Sequence, residues 1–380
     1  MRPKPGATTQ KKHERRRVLI AVGTRPEAIK LAPVVAALRA EPWADVRVLA
    51  TGQHRELLDE VLAFFGIRAD IDLDVMSPDQ TLADLSRRLL PAIDAVLTDQ
   101  EPGMVVAQGD TTSALMTALA SFHRGIPFAH VEAGLRTGDR REPFPEECNR
   151  VLIAQVADLH FAPTEAARTN LLAEQVDADA IEVVGNTGID ALLWTAQRDL
   201  PDDFANLRRP LVLVTAHRRE SFGAPLAEIC EAVGEIASAR DVDFLWPVHP
   251  NPRVREPVEA ALGSLDNVRL VAPLDYPHFV AAMRAAALIL TDSGGVQEEA
   301  PSLGKPVLVL RDKTERGEGI ASGNALLVGL DRARIVKQTL RLLDDRAAYE
   351  AMAHQANPYG DGQSAPRIAA CVAAVLQVRC

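Results

Sequence analysis

The sequence is poor in aromatic residues, has few cysteines and lacks any long apolar run. Phe, Trp and Tyr make up 4% of the 380 residues, so the stacking surfaces of single-stranded nucleic-acid binders are not indicated. The four cysteines show neither CxxC nor zinc-ligand spacing, which favours reduced thiols over a disulfide framework. No stretch approaches the ~18 consecutive apolar residues of a membrane span, and the first apolar run is too short for a signal-peptide core. These absences predict a cytoplasmic protein.

Acidic side chains outnumber basic ones, with 52 Asp and Glu against 42 Lys and Arg and a formal net charge of −10. A net acidic chain is a poor electrostatic match for nucleic acid or for an anionic membrane, so we expect neither as a partner. Such a chain can still hold a local cationic pocket for a small anion. Residues 1–17 are basic and polar without apolar periodicity, and we predict that they form a disordered extension.

Short apolar runs alternate with helix-length segments from Arg17 onward. Many of these runs are continuously apolar, as expected for strands buried on both faces of a parallel sheet. The predicted strands are 18–22, 46–50, 104–107, 127–131, 159–162, 181–184, 211–215, 244–248, 268–271, 288–291, 307–310 and 325–328. A polar connector at 198–210 divides the chain. We therefore predict an α/β fold with two Rossmann-like, doubly wound parallel-sheet domains that face a central cleft.

The loop after the first strand, GTRPEAIK at 23–30, has the features of a capped helix start beside an anion site. Thr24 and Glu27 have capping-box spacing. Arg25 and Lys30 lie beside the helix N-terminus, which attracts anions. The loop is neither GxGxxG nor a P-loop, so it does not support a dinucleotide or Mg-ATP site. A capped helix with solvated basic residues is the alternative interpretation.

Three acidic residues lie near strand ends of the first half. They are Asp110 in QGDTT at 108–112, Glu132 in HVEAGLR at 130–136 and Glu146 in PFPEECNR at 143–150. Carboxylates gathered in one cleft can have pKa values driven apart, which suits paired acid and base roles. Each alone also has a structural interpretation, and Asp110 fits the N-cap of the following helix.

Two histidines of the second half follow strands. His217 comes after the strand at 211–215, and His249 after the strand at 244–248. A histidine at such a position can hold a phosphate or donate a proton to it. The alternative is a histidine hydrogen-bonded to backbone.

The stretch TDSGGVQEEA at 291–300 gives the sharpest local signal. Ser293, Gly294 and Gly295 let bare backbone N–H groups approach an anion at the start of the next helix. Glu299 lies about one turn further and could accept hydrogen bonds from sugar hydroxyls, and Arg316 could add positive charge. A tight turn without a ligand is the alternative.

Taken together, these motifs resemble those of non-hydrolysing UDP-N-acetylglucosamine 2-epimerases. The matching stretches are GTRPEAIKLAP at 23–33, TGQHRELLDEVL at 51–62, GDTTSA at 109–114, HVEAGLRTGD at 130–139, PFPEECNR at 143–150, GNTGIDALLW at 185–194, VTAHRRESFG at 214–223, PVHPNPRVREPV at 247–258, TDSGGVQEEAPSLGKPVLVLRDKTER at 291–316 and NPYGDG at 357–362. So many long motifs in the same order are highly specific, unlike any one of them alone.

The resemblance implies a GT-B-like fold, as in UDP-sugar glycosyltransferases. We expect a first domain at 18–190 that carries the catalytic acids and is joined by a C-terminal helix at 363–380, and a UDP-binding second domain at 191–362. The resemblance also implies reversible conversion of UDP-GlcNAc to UDP-ManNAc, through elimination of UDP to a bound 2-acetamidoglucal and its re-addition. It implies no cofactor and no metal, a homodimer, and a supply of ManNAc for bacterial surface polysaccharides.

Residue roles follow from the same resemblance. The expected catalytic residues are Asp110, Glu132, Glu146 and His217. The expected substrate contacts are Arg25, Lys30, Leu274, Phe279, Ser293, Gly294, Gly295, Glu299 and Arg316. A second UDP-GlcNAc acting as an activator would contact Gln53, His54, Arg218 and His249.

Three other functions remain open on the same fold. A hydrolysing 2-epimerase would release free ManNAc and UDP. A GT-B glycosyltransferase would pass the sugar to an acceptor, and the fold permits it. A non-catalytic sensor would bind a UDP-sugar without turnover.

Overall fold

The computed structural model describes residues 15–52, 55–77, 80–204, 207–216 and 223–377. Most of the predicted N-terminal extension, residues 1–14, therefore lies outside the described residues. Within the described ranges the chain builds two parallel sheets.

The first sheet is formed by β1 (Arg16–Val22), β2 (Ala44–Ala50), β3 (Ile71–Asp72), β4 (Met104–Gln108), β5 (Phe128–Val131), β6 (Leu159–Ala162) and β7 (Ile181–Val183). Its strand order is β3-β2-β1-β4-β5-β6-β7, with parallel pairing throughout. The helices that follow these strands are α1 (Arg25–Ala40), α2 (Arg55–Phe64), α3 (Leu82–Gln100), α4 (Thr112–Arg124), α5 (Glu146–Ala154) and α6 (Glu165–Ala173). We call this sheet and its helices the first lobe.

The second sheet is formed by β8 (Leu211–Thr215), β9 (Asp243–Pro247), β10 (Val268–Val271), β11 (Ala286–Thr291), β12 (Val307–Val309) and β13 (Ala325–Leu327). Its order is β10-β9-β8-β11-β12-β13, again parallel. After α7 (Thr187–Ala196), its helices are α8 (Ala224–Ala239), α9 (Pro252–Leu262), α10 (Tyr276–Ala285), α11 (Gly294–Glu299), α12 (Gly317–Ala321), α13 (Arg332–Asp344) and α14 (Arg346–Ala353). We call this part the second lobe. The doubly wound, GT-B-like fold is confirmed.

Both faces of each sheet are buried, which explains the uninterrupted apolar runs. In β1, Val18, Ile20 and Val22 pack on one face, and Leu19 and Ala21 pack on the other. Side chains alternate between the faces of a strand, so a strand covered on both sides needs apolar residues at every position. Each fully buried Val, Leu or Ile contributes roughly 1.5–3 kcal/mol to the free energy of unfolding.

The structure contains all the strands expected from the sequence and one more. The additional strand, β3, has two residues and gives no apolar run. β1 begins at Arg16, two residues earlier than predicted, because Arg16 N–H donates to Trp43 O and Arg17 pairs with Asp45 at 2.9 Å.

The chain passes between the lobes twice. α7 leads into the second lobe, and the predicted border between residues 190 and 191 falls inside it. α15 (Ser364–Val375) returns, and its Ile368 and Val372 enter the same core as Val18 of β1. The Thr164 hydroxyl donates to Glu318 Oε1 across the lobes at 2.9 Å. The exact domain borders stay a prediction.

Candidate functional site

A cavity of about 540 Å³ lies where the two lobes meet. The first lobe contributes Arg25, Pro26, Ile29 and Lys30 to its wall, and the second contributes Thr215, Pro247, His249, Pro273, Leu274, Tyr276, Phe279, Ser293, Gly295, Val296 and Glu299. Ligands of open α/β sheets bind at the carboxyl ends of the strands, and several of these residues directly follow strands. Seven of the nine predicted substrate contacts and the predicted activator contact His249 line this one cavity.

The start of α1 brings two cations to the cavity. The Arg25 guanidinium donates to Leu274 O in the second lobe at 3.2 Å. Lys30 forms an ion pair with Glu132, and the two side chains are only 15% and 9% exposed. Burial alone would lower the pKa of Lys30, but attraction to Glu132 and Glu298 outweighs it and raises that pKa. Lys30 therefore stays charged, which suits contact with an anionic ligand.

Glu132 is held in an uncommon backbone conformation directly after β5. Its φ of 64° lies in the left-handed region, which costs free energy in a residue other than glycine. Such conformations concentrate at functional sites, where the surrounding structure compensates for them. The conformation and the Lys30 ion pair together fix the Glu132 carboxylate next to the cavity wall.

Asp110 is not the N-cap that its sequence position suggested. The cap of α4 is Thr111, whose hydroxyl accepts from Ala114 N–H at 3.1 Å. The Asp110 carboxylate instead accepts from two N–H groups of Arg150, at 2.8 and 2.6 Å, and Asn149 donates to Asp110 O at 2.7 Å. Because Thr111 caps the helix, the Asp110 carboxylate is not used in capping and is held by Arg150 instead.

The two neighbouring glutamates at the start of α5 differ in their hydrogen-bond partners. Glu147 accepts from Thr137 and Gly138 N–H groups and pairs with Arg150 at 3.0 Å, so it braces the preceding loop. Glu146 has a buried Oε2 that finds no hydrogen-bond partner among the described residues. Of the pair, Glu147 has the structural role, and the acid or base role of Glu146 stays a prediction.

The three predicted acids lie at one edge of the first sheet, after β4, after β5 and at the start of α5. None of them belongs to the wall of the cavity itself. Glu132 is connected to the cavity by its ion pair with Lys30, which lines the wall. Asp110 forms an ion pair with Arg150 of α5, the helix that begins at Glu146.

The second lobe presents the glycine turn and a buried arginine. A Cβ on Gly294 would lie 3.1 Å from Arg316 Cζ, so a larger residue would require the guanidinium to shift by a few tenths of an ångström, whereas Gly295 faces open space. Arg316 pairs with the buried Glu298 at 2.8 Å. Burial would lower the pKa of Arg316, but attraction to Glu298, Glu315 and Glu132 raises it.

Glu299 differs electrostatically from its neighbour Glu298. Burial, with repulsion from Glu298, raises the pKa of Glu299 to about 8, against a smaller opposing effect of Lys30. At neutral pH Glu299 is therefore mainly protonated and can donate as well as accept a hydrogen bond. It lines the cavity close to Tyr276, whose hydroxyl pKa is raised by burial and by the Glu299 charge.

The remaining predicted residues are the two histidines of the second half and the other expected activator contacts. His217, Arg218, Gln53 and His54 lie outside the described residues. His249 is described: it lines the cavity, and its Nδ1 accepts from Asn251 N–H at 3.2 Å.

Sequence reasoning missed the partners that hold the site residues. They are Arg150, Glu147 and Glu298, and Tyr276 of the cavity wall was missed as well. Spacing signalled only one pair, Glu147 and Arg150, which stand three residues apart on α5.

No helix in the described ranges is both long enough and apolar enough to cross a membrane. Across the same ranges, no group of three or more His, Cys, Asp or Glu side chains is arranged to hold a metal ion.

Two buried histidines lie behind the acids, opposite each other on neighbouring strands. His130 of β5 and His160 of β6 are partners in the sheet register. His130 Nε2 donates to Gly109 O at 2.7 Å. Burial lowers the pKa of His130 to about 3 and that of His160 to about 4.

Because these two histidines are buried in the neutral form, we expect the free energy of unfolding to fall at acidic pH. Unfolded histidine binds a proton below about pH 6.5, whereas the folded protein keeps both rings neutral down to about pH 4. The unfolded state therefore binds more protons in this window, and the free energy of unfolding falls as the pH is lowered, by up to ~1.4 kcal/mol per pH unit for each histidine. Urea unfolding at several pH values between 4.5 and 7.5 measures the slope.

His160→Gln should make this slope shallower by about one proton, because it removes one buried titrating ring. Equal slopes for His160→Gln and the unsubstituted protein would contradict the expectation.

Comparison with known proteins gives consistent matches over nearly the whole chain. The family model described as UDP-N-acetylglucosamine 2-epimerase matches residues 36–373. The UDP-N-acetylglucosamine 2-epimerase of Salmonella typhimurium is 50% identical over 364 residues, which cover 93% of this chain and 97% of the relative. The crystal structure of UDP-GlcNAc 2-epimerase from Neisseria meningitidis bound to UDP-GlcNAc is 42% identical, has a TM-score of 0.85, and covers 94% of this chain and 99% of its own. That from Methanocaldococcus jannaschii in complex with UDP-GlcNAc and UDP is 34% identical, with a TM-score of 0.80 and coverages of 94% and 99%.

Proposed function

The chain belongs to the UDP-N-acetylglucosamine 2-epimerase family, and we propose that it interconverts UDP-GlcNAc and UDP-ManNAc without hydrolysis. One observation carries the proposal: a cavity between the lobes is lined by two cations of the first lobe and lies next to a buried carboxylate, with a third cation behind the glycine turn of the second lobe. Arg25 and Lys30 come from the first lobe, Arg316 stands behind Gly294 in the second, and Glu132 pairs with Lys30.

The UDP group would bind mainly to the second lobe. The backbone N–H groups of the Ser293–Gly295 turn and the Arg316 guanidinium suit a diphosphate. Leu274 and Phe279 would contact the uracil, and Glu299, protonated near neutral pH, would hydrogen-bond to a ribose hydroxyl. Two relatives with bound UDP-GlcNAc support this choice of ligand.

In the proposed reaction a carboxylate removes the proton from C2 of the sugar. The electrons of the C2–H bond form a C1–C2 double bond, and the C1–O bond breaks with its electron pair leaving on UDP. The product is a bound 2-acetamidoglucal. Re-addition of UDP at C1, with a proton delivered to the opposite face of C2, gives the epimer.

The predicted catalytic and substrate-binding residues suit the demands of this reaction, and of these only His217 lies outside the described residues. Asp110, Glu132 and Glu146 supply the acid and base groups, with His217 as a further proton donor. Arg25, Lys30 and Arg316 would stabilise the negative charge that develops on the departing diphosphate. No hydride carrier takes part, because in each proposed step the C2 hydrogen moves as a proton and UDP leaves or returns with its electron pair.

The proposal also includes an activator site, the oligomeric state, the cellular location and the use of the product. A second UDP-GlcNAc would act as an activator through Gln53, His54, Arg218 and His249, and of these His249 lines the cavity. The homodimer, the cytoplasmic location and the supply of ManNAc for surface polysaccharides stay predictions.

Incubation with UDP-GlcNAc in heavy water tests the mechanism. We expect UDP-ManNAc to form without added NAD and deuterium to enter C2 of both epimers, because the proton is exchanged with solvent at each elimination. Proton NMR of the C2 position follows both events. Epimerisation with full retention of the C2 proton would contradict elimination. Free ManNAc as the first product would point to the hydrolysing reaction, and sugar transfer only with an added acceptor would point to a glycosyltransferase.

A further inference from the structure

Glu27 makes more hydrogen bonds than a helix cap needs. It is the third residue of α1, and it is only 4% exposed. Its Oε2 accepts from Thr24 N–H at 2.8 Å, as in a capping box, and from Gly23 N–H at 2.5 Å. Its Oε1 accepts from the Thr111 hydroxyl at 2.6 Å, on a loop 84 residues away. A capping box requires only the bond to Thr24 from this side chain, so the contact with Thr111 serves another purpose.

The packing around Gly23 keeps this loop close to its neighbours. A Cβ on Gly23 would lie 2.6 Å from Thr51 Oγ1 and 3.1 Å from Glu27 Oε2, so any larger residue would push the loop away. The Thr51 hydroxyl donates in turn to Ser113 in the first turn of α4, at 2.9 Å. The start of α1 and the start of α4 are therefore locked together through buried polar contacts.

The turn that Glu27 reaches contains Asp110 and is held from three directions. His130 donates to Gly109 O at 2.7 Å from β5, and Asn149 donates to Asp110 O at 2.7 Å from α5. Glu27 is the third support, through Thr111. Only this support leads to α1, which carries the two cations of the first lobe that line the cavity.

We propose that Glu27 is a positioning residue, which through its hydrogen bond to Thr111 fixes Asp110 at a set distance from Arg25 and Lys30. The inference rests on the proposed function, in which Asp110 acts on the sugar while the cations hold the departing diphosphate. Asp110 and the two cations act on neighbouring atoms of the same substrate, so their separation must match the substrate. A misplacement of a reacting group by ~1 Å can lower the rate about 10²-fold. Glu27 does not line the cavity, so turnover should depend on it more than UDP binding does.

Two pairs of variants test whether length and contact matter. Glu27→Asp keeps the carboxyl group but is one methylene too short to reach Thr24 and Thr111 together, and we expect kcat to fall about 10- to 10²-fold. Glu27→Gln keeps the reach and should stay within about fivefold of the unsubstituted protein. Thr111→Val removes the hydroxyl and should resemble Glu27→Asp, whereas Thr111→Ser restores it and should resemble the unsubstituted protein. KM and UDP affinity by calorimetry should change less than threefold, on the order of experimental scatter, in all four.

A matched control separates positioning from helix capping, because Thr111 also caps α4. Thr81 caps α3 in the same way, with its hydroxyl accepting from Asp84 N–H at 3.1 Å, and it does not line the cavity. Thr81→Val should lower the melting temperature and leave kcat unchanged. The double variant Glu27→Asp/Thr111→Val should lose no more than the worse single variant, since both break one bond.

Unchanged kcat in Thr111→Val would overturn the inference. Higher activity of Glu27→Asp than of Glu27→Gln would also overturn it, because the carboxyl group would then matter more than the reach to Thr111. An unsubstituted protein that forms no UDP-ManNAc would overturn the proposed function, and this inference with it. If the unsubstituted protein is active and Thr111→Val has the same kcat, only the inference about Glu27 is overturned and the proposed function stands.

Discussion

Glu132→Gln is expected to lose turnover of UDP-GlcNAc by about 10²-fold or more, with UDP binding retained. The carboxamide can still accept a hydrogen bond from Lys30 but cannot take up a proton from the sugar. It also leaves the buried Lys30 ammonium without its nearest counter-charge. Proton NMR time courses measure turnover, and calorimetry with UDP measures binding.

Glu174→Gln is the matched control for this variant. Glu174 pairs with Arg136, four residues beyond Glu132, at 2.7 Å, and it does not line the cavity. The same change of carboxylate to carboxamide should leave turnover within about twofold, because the lost ion pair serves only the loop. Equal losses in Glu132→Gln and Glu174→Gln would contradict a chemical role for Glu132.

Glu298→Ala is expected to lower the free energy of unfolding by about 3 kcal/mol. Glu298 is almost fully buried, accepts from Arg316 at 2.8 Å and accepts from Asn186 at 2.8 Å. Removing it leaves a buried guanidinium short of its main partner, which is the costly way to break a buried ion pair. Urea unfolding at pH 7, followed by circular dichroism, measures the change.

Glu315→Ala provides the comparison, because Glu315 pairs with the same Arg316 at the same 2.8 Å. Its side chain is 23% exposed against 5% for Glu298, so solvent screens its charge more effectively. We expect a loss of about 1 kcal/mol or less. Glu315 also pairs with Arg311 at 2.8 Å, so this loss covers both ion pairs, and a loss as large as that of Glu298→Ala would contradict the expected screening by solvent.

The fold could be predicted from local sequence to a large extent. A strand buried on both faces must be apolar at each position, so β1, β8 and β11 are visible as uninterrupted runs. β3 was invisible because two residues leave no periodic signal. The family was predicted from the order of long motifs and is confirmed.

The candidate site was predicted less completely. The motifs pointed to the residues that line the cavity, since these follow strands and carry distinctive chemistry. They left the N-cap of α4 as an alternative role for Asp110, because Asp and Thr both suit that position and only the backbone path selects Thr111. Arg150, the partner of Asp110, stands 40 residues away and had no local signal.

The sequence by itself determined where the strands other than β3 form, that helices lie between them, and which side chains stand at the strand ends. These properties follow from burial patterns and backbone preferences within a few residues. Only the tertiary structure decided which charges meet: Lys30 with Glu132, Asp110 with Arg150, and Arg25 with a carbonyl 249 residues away. Ion pairs and hydrogen bonds act over a few ångströms, and that proximity arises only when distant segments pack against each other.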